Sequence, residues 1–473
     1  MATKQKSSQS PIVSKEDLLT LRQAAELFGK TISNISYLIQ YDRINKYDEE
    51  GERNGKVKNG GLRVSRHELV EYFARLDEHV QRRMSKLSAL DMELAFLEVP
   101  ERERTKHVHR LHPYLGKFIP QLVEYFLSRY FRPGEAVIDP FCGSGTTLVQ
   151  AAEMGIHSVG IDISEFNTRI ARVKLAKYDP KLMEREVIDI MKRTAGFSER
   201  AFTGNFVPLV SEAAELTTKS EYLNTWFAER SLKELLYYEK LIPEYTYQDL
   251  LRIILSRTAR SCRLIYHYEL ATPSKPVREP YVCYKHKGRI CTPIQTTIPR
   301  LRYYSKDTVR RIAEFSSLRK DVDSYVVEGD AQTVDLQKEL PEGWIKSHNI
   351  RGVFTSPPYV GQIDYHEQHQ YAYELFGFQR KDEQEIGRKR KGKSAKAQRA
   401  YVEGISKVLI NMKRQLPHDA QYFIVANDKL SLYPEIFEIA GMRIEKQFNR
   451  PVEDRTERDK RPYSENIFFV RPA

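Results

Sequence analysis

Four cysteines in 473 residues are too few for a disulfide framework, so a secreted miniprotein is excluded and a reducing compartment is expected. No apolar run approaches the roughly 18 to 20 residues of a membrane span. The first dozen residues, MATKQKSSQSPI, have no apolar centre for a signal peptide and read as a flexible tail over 1–14. Cys283 and Cys291, with His286 between them, lack the close paired spacing of a zinc site, and no metal is expected. No internal repeat is found. These absences leave a cytoplasmic protein with no membrane partner.

The chain does have length and positive charge. At roughly 150 residues per domain, 473 residues make two to three domains with a sizeable core. Lys and Arg number 76 against 64 acids, a net charge of +12. Such a surface attracts polyanions, although a well-solvated enzyme reads the same way, and the motifs must decide.

From Leu19 the apolar positions Leu21, Ala24, Ala25 and Phe28 share one helical face, and Ile32, Ile35, Leu38 and Ile39 share another, with Gly29 at the turn. A polar Gly-rich stretch, EEGERNGKVKNGG, leads into Leu62-Arg63-Val64 and a helix capped at Ser65. This is helix, turn, helix, β-wing, helix over 15–80. It resembles the winged helix-turn-helix of excisionase and MerR-type DNA-binding domains; a small helical docking module has the same pattern. Residues 81–105 are charge-rich and predict a linker helix. Next, Glu135 to Asp139 and Ser158 to Asp162 are short apolar runs ending in an acid, separated by a helix after Thr146. That is the opening of a doubly wound α/β sheet in a first part, 106–180. A mostly helical insertion follows over 181–320, a candidate for target recognition, and strand-like runs resume in a second part, 321–473.

Two segments carry chemistry. In VIDPFCGSGTTLVQAA, a buried strand runs into a loop with Gly143 and Gly145 and then a helix, so backbone can approach a ligand and helix N–H groups can meet an anion. Thr355-Ser356-Pro357-Pro358-Tyr359 sits at the carboxyl end of a strand, where open α/β sheets keep their sites, and two prolines stiffen it. A tight turn or a rigid turn explains either one alone; the pair is far more specific.

Asp139-Pro140-Phe141-Cys142-Gly143-Ser144-Gly145-Thr146-Thr147 resembles the S-adenosylmethionine loop of the amino-methylating DNA methyltransferases, and the Ser-Pro-Pro-Tyr segment resembles their catalytic motif. The resemblance covers about residues 106–180 and 321–473. It implies a Rossmann-like class I methyltransferase fold that takes a methyl group from S-adenosylmethionine to an exocyclic amine of duplex DNA with one base flipped out. Ser before the prolines is similar to the members acting on cytosine N4, and adenine N6 is the alternative; RNA-base enzymes of this kind more often carry Asn there. Methylation at cytosine C5 needs a nucleophilic cysteine, usually after a proline, and no Pro-Cys occurs.

The same resemblance implies cofactor contacts for Tyr114, Lys117 and Phe118 in His112-Pro113-Tyr114-Leu115-Gly116-Lys117-Phe118, and for Asp139, Pro140, Phe141, Gly143, Gly145 and Thr146. It adds Asp162 toward the ribose and Asp330 toward the adenine. Ser356, Pro357, Pro358 and Tyr359 would be catalytic. The chain departs from the common Ser-Pro-Pro-Tyr arrangement, because the glycine loop comes first and the 140-residue insertion 181–320 lies between the two. Residues 380–399 hold nine Lys or Arg against three acids, and Arg388, Lys389, Arg390, Lys391 and Lys393 are expected to contact phosphate. A nucleoid location and a cognate restriction endonuclease complete the expectation; a DNA-binding regulator with an inactive methyltransferase fold is the competitor from another class.

Overall fold

The computed structural model describes residues 13–40, 43–53, 61–84, 90–97, 99, 101–114, 116, 118–202, 210–269, 273–361, 364–452 and 463–473. The chain divides into two compact units, one ending at Leu90 and one beginning at Asp91.

In the first unit, strand β1 (Leu18–Thr20) precedes helices Leu21–Leu27 and Ile32–Gln40, and β2 (Arg63–Ser65) precedes helix Arg66–Met84. Thr20 and Gln23 close a reciprocal capping box, which starts the first helix two residues later than the apolar pattern alone indicates. Leu18 to Thr20 instead pair antiparallel with Arg63 to Ser65. Leu19, Ala24, Ala25, Ile35, Leu38, Val64 and Leu69 form its core. Glu68 accepts from the Asn45 backbone at 2.8 Å, its side chain at 2.6 Å and the Tyr47 hydroxyl at 2.6 Å, tying the middle of the module to its last helix. Residues 54–60, the tip of the expected wing, lie outside the described residues. The last helix continues through residue 80, where the sequence pattern places a boundary.

In the second unit, strands β3 (Glu135–Asp139) and β4 (His157–Asp162) come first, followed by a short hairpin of β5 (Tyr281–Cys283) and β6 (Arg289–Cys291). Then come β7 (Ser324–Glu328), β8 (Asn349–Thr355), β9 (Gln421–Ala426), β10 (Met442–Val452) and β11 (Tyr463–Pro472). Seven of these make one sheet in the order β10-β11-β9-β8-β3-β4-β7. Pairs among β7, β4, β3, β8 and β9 are parallel, and β11 runs antiparallel to β9 and β10. Strands are added on one side of β3, then on the other, so the order reverses there and leaves a crevice at the carboxyl ends.

Side chains alternate across the strands with period two. Val137, Phe354 and Phe423 pack with helix Pro120–Tyr130 on one face. Ala136, Ile138, Val353 and Ile424 pack on the other with helix Ala395–Gln415. The region 181–320 is helical as expected, over Pro180–Phe202, Glu229–Leu241, Gln248–Cys262 and Ile298–Leu318 among others. It is not a detached flap: Leu250, Leu251, Ile253, Ile254 and Leu255 are all buried, and they join Leu148, Phe166 and Ile170 in one core. No helix among the described residues is long and apolar enough to cross a membrane.

Candidate active site

At the carboxyl ends of β3, β4, β7 and β8 lies a cleft of about 610 Å³, lined by Tyr114, Pro140, Phe141, Asp162, Asp330, Ser356 and Pro358, with Ser164, Asn167, Tyr365 and Glu385 among its other walls. The crossover topology thus gathers segments that are over 240 positions apart in the chain.

The glycine loop builds the floor through contacts within the protein. Asp139, buried at the end of β3, accepts from the Thr147 hydroxyl at 2.6 Å, the Thr355 hydroxyl at 2.6 Å and the Phe141 backbone at 3.1 Å. It therefore bolts the loop to its helix and to β8, and it does not line the cleft. Burial pushes its carboxyl up to about 6. The amide of Gly143 donates to Asp162 at 3.0 Å and that of Gly145 to the Cys142 carbonyl at 2.7 Å, so neither is available to an anion. Any contact of Gly143 or Gly145 with a ligand therefore runs through other atoms than their amide N–H groups. The glycines are required by shape: at Gly143, with φ of +49°, a Cβ would stand 2.8 Å from the Tyr114 hydroxyl, and at Gly145, with φ of +77°, 3.0 Å from the Ala171 Cβ. The buried Lys174 ammonium donates to the Ser144 carbonyl and holds the loop from below. Thr146 is buried in the first turn of the helix, and Phe118 packs edge-on against Phe354 at 5.5 Å; neither lines the cleft. Lys117 lies outside the described residues.

Asp162 ends β4 on the cleft wall. It accepts from Gly143, from the Ser164 backbone at 2.8 Å and from the Asn167 amide at 3.1 Å, yet burial still pushes its carboxyl up to about 6. Tyr114 is stacked between Tyr365 at 5.7 Å and His369 at 5.8 Å. Its hydroxyl accepts from Asn167 at 3.3 Å, and burial raises its pKa well above the ordinary value. Three carboxylates, Asp162, Asp330 and Glu385, line the space, and two buried acceptors, Asn167 Oδ1 and Glu385 Oε2, have no partner in the protein. That donor-poor, acidic lining suits a ligand bearing hydroxyls, an ammonium and a cationic centre.

The segment 355–359 divides two cavities. Ser356 and Pro358 line the cleft, Pro357 is buried between them, and Tyr359 faces a neighbouring cavity of about 400 Å³ with Tyr401, Tyr433, Asn427, Asp428 and Lys393. The Tyr359 hydroxyl donates to Glu465 at 3.2 Å, and Glu465 is paired at 2.6 Å with the fully buried Arg450.

Asn167, Tyr365, Glu385 and Glu465 escape a reading of the sequence. Ser164, which caps the helix after Asp162 by accepting from the Asn167 backbone, is a capping signal that could have pointed to Asn167. Glu385 sits inside the segment read as basic. That segment is itself corrected at one position: Arg388 is buried, 2.6 Å from Glu383 and 3.2 Å from Asp382, with Asp364 at 3.7 Å. A guanidinium committed to three carboxylates is an internal clamp rather than a phosphate contact. Lys389, Arg390, Lys391 and Lys393 are exposed. The fold also brings His267 beside Cys283, His286 and Cys291, a grouping that could hold a metal ion and that the spacing of the cysteines does not show.

A doubly wound sheet with its cleft at the point of reversal, a glycine loop beneath it and Ser-Pro-Pro-Tyr at its rim defines the class: a methyltransferase-type α/β enzyme. Residues 24–173 match the family model described as DNA methylase, which spans the N6/N4 methyltransferases. The chain is 44% identical to the Type II methyltransferase M.MjaII of Methanocaldococcus jannaschii, over 96% of this chain and 97% of that protein. It is 26% identical to the Type II methyltransferase M.MvaI of Kocuria varians over 41% of this chain and 42% of that one. Among solved structures, TrmN from Thermus thermophilus is 12% identical with a TM-score of 0.29, covering 79% of this chain and 55% of that one. The chain belongs to the Type II DNA methyltransferases of the N6/N4 amino-methylating family. Membership in that family implies S-adenosylmethionine as methyl donor.

Proposed function

We propose that this enzyme methylates the exocyclic N4 of cytosine within a specific site of duplex DNA. The observation that carries the reading is Ser356 at the cleft rim immediately before two prolines, with Tyr359 across them in the adjoining cavity. Tyr114, Phe141, Asp162, Asn167, Asp330 and Glu385 would hold S-adenosylmethionine, Asp162 accepting from ribose hydroxyls. When bound, that cofactor supplies an electrophilic sulfonium methyl group.

The lone pair of an exocyclic amine is conjugated with its ring, so the protein must draw the nitrogen toward tetrahedral geometry. Ser356 Oγ and the Pro357 carbonyl accept hydrogen bonds from the amine and turn its lone pair toward the cleft. Tyr359, with its hydroxyl anchored on Glu465, stacks on the extruded base and offsets part of the unstacking cost. Orientation of the two reactants can lower the barrier by about 7 to 11 kcal/mol, and no strong general base is needed because the methylated, cationic nitrogen loses its proton readily. Lys389, Arg390, Lys391 and Lys393 contact phosphate, and the first unit, read as a winged helix-turn-helix, adds DNA affinity.

Mass analysis of nucleosides from duplex DNA treated with the pure protein and S-adenosylmethionine tests this. N4-methylcytosine is the expected product. N6-methyladenine would transfer the same chemistry to the alternative base, and DNA that is bound but never methylated would favour an inactive regulator.

A further inference from the structure

The hairpin β5–β6 stands out from its surroundings. Each strand is three residues long, and Val282, Tyr284 and Ile290 are exposed, so the hairpin has no core of its own. An isolated two-stranded hairpin is at best marginally stable in water. Cys283 alone among its residues is buried.

The register pairs Tyr281 with Cys291 and Cys283 with Arg289. Cys283 is two positions beyond Tyr281, so both thiols project from the same face of the ribbon as diagonal neighbours. His286, in the turn three residues after Cys283, brings its Nδ1 to 3.1 Å from the Cys291 sulfur. His267 arrives from 16 residues upstream, its Nδ1 3.7 Å from the Cys283 sulfur, and the two imidazoles lie 4.8 Å apart by ring centroid. One ligand atom from each of the four residues lies within 4.8 Å of every other. Tetrahedral zinc, with Zn–S of about 2.3 Å and Zn–N of about 2.0 Å, holds its ligand atoms roughly 3.3 to 3.8 Å apart. The 3.1 and 3.7 Å separations fall close to that range and the others lie within 4.8 Å, so side-chain rotations of about an ångström close the set.

We infer that His267, Cys283, His286 and Cys291 bind a structural Zn²⁺ that clips the β5–β6 hairpin to the strand of chain entering it. Two thiolates neutralise the dication and two neutral imidazoles complete a closed tetrahedral set, with no position left for a water. Both cysteines lose a proton on binding. His286 is exposed and gives the ion an approach from solvent. The clip fixes a hairpin whose outer residues Lys285, Lys287 and Arg289 are all exposed cations.

The test uses the full chain purified under reducing conditions without added metal. Elemental analysis is expected to find about one zinc per chain, with X-ray absorption showing two sulfur and two nitrogen neighbours. Replacement by Co²⁺ is expected to give the visible bands of a tetrahedral S₂N₂ site. Cys291→Ser and His286→Ala, both at the outer surface and so tolerable to the fold, are expected to lose the zinc, whereas the exposed His418→Ala keeps it. Chelation is expected to expose Lys285, Lys287 and Arg289 to trypsin at least tenfold faster. Zinc-free protein that binds no Co²⁺, or a Cys283–Cys291 disulfide in freshly reduced and reoxidised chain with trypsin resistance unchanged by chelator, would overturn the proposal. None of these readouts depends on methyl transfer, so they stand or fall apart from the base assignment above.

Discussion

The two sides of the Ser-Pro-Pro-Tyr segment are held by different physics. On the cofactor side, the glycine loop is fixed by short hydrogen bonds between buried groups: Asp139 to two threonines, Asp162 to Gly143, Lys174 to Ser144. Around the Tyr359 corner the supports are ion pairs between residues close in sequence, Arg388 with Glu383 and Asp382 and Arg450 with Glu465. The first arrangement is spent within the protein, apart from Asp162, which also lines the cleft. The second consists of charges, and because Arg388 and Arg450 are buried, salt screens their pairs little.

That contrast yields expectations that differ in kind. The largest effect is expected from Asp139→Ala, which strips the acceptor from two buried threonine hydroxyls and severs the loop from β8. Urea denaturation should show a loss of about 3 kcal/mol, with cofactor binding lost as a consequence; stability within error of wild type would refute the bolt described for Asp139. Next, Ser356→Ala and Tyr359→Ala should each lower single-turnover methyl transfer on the order of 100-fold while leaving cofactor affinity nearly unchanged. Equal losses in both quantities would erase the distinction between the two cavities.

The clamp and the surface cations separate in a third experiment. Arg388→Ala should destabilise the fold by about 1 to 3 kcal/mol by removing the guanidinium from the buried Asp364, while Asp382 keeps Arg380. Neutralising Lys389, Arg390, Lys391 and Lys393 should spare stability, weaken binding to all DNA alike and flatten the log-log salt dependence by roughly 0.9 for each phosphate that the variant no longer neutralises. If Arg388→Ala instead behaves like the other four, the acid cage carries no structural weight.

The smallest effect is a pH dependence. Asp139 and Asp162 have folded values of about 6 against an ordinary 3.8. Between about pH 4 and 6 the folded state therefore keeps protons that the unfolded chain has released, and the stability these groups contribute is present at low pH and declines as pH rises through that window. Ligand binding follows the opposite sign, since an ionised Asp162 is the better acceptor for ribose hydroxyls. S-adenosylmethionine affinity should fall about tenfold between pH 7 and 5, and calorimetry on Asp162→Asn should show a flat profile.

The same contrast explains what can be read from the sequence. The glycine loop, the flanking strands and the Ser-Pro-Pro-Tyr corner are contiguous strings whose periodicity and turn chemistry are local, and the sheet carries them where the pattern indicates. The N-terminal helices are legible for the same reason, and β1 is not, because three residues pair only with a partner some 45 positions away. Arg388 misleads because a run of cations looks alike whether it faces water or acid, and only the turn that brings in Asp364 decides. His267 is absent from any spacing motif with Cys283, and Glu465 from any with Tyr359; both are joined by topology alone.

The Tyr359–Glu465 bond spans 106 positions, from the corner after β8 to the last strand of the sheet. The walls of the cleft, from Tyr114 through Ile386, all precede β9 in the chain, whereas the anchor of the Tyr359 ring lies in β11. A chain interrupted before β11 would therefore keep every residue of the cleft wall and lose the brace on Tyr359.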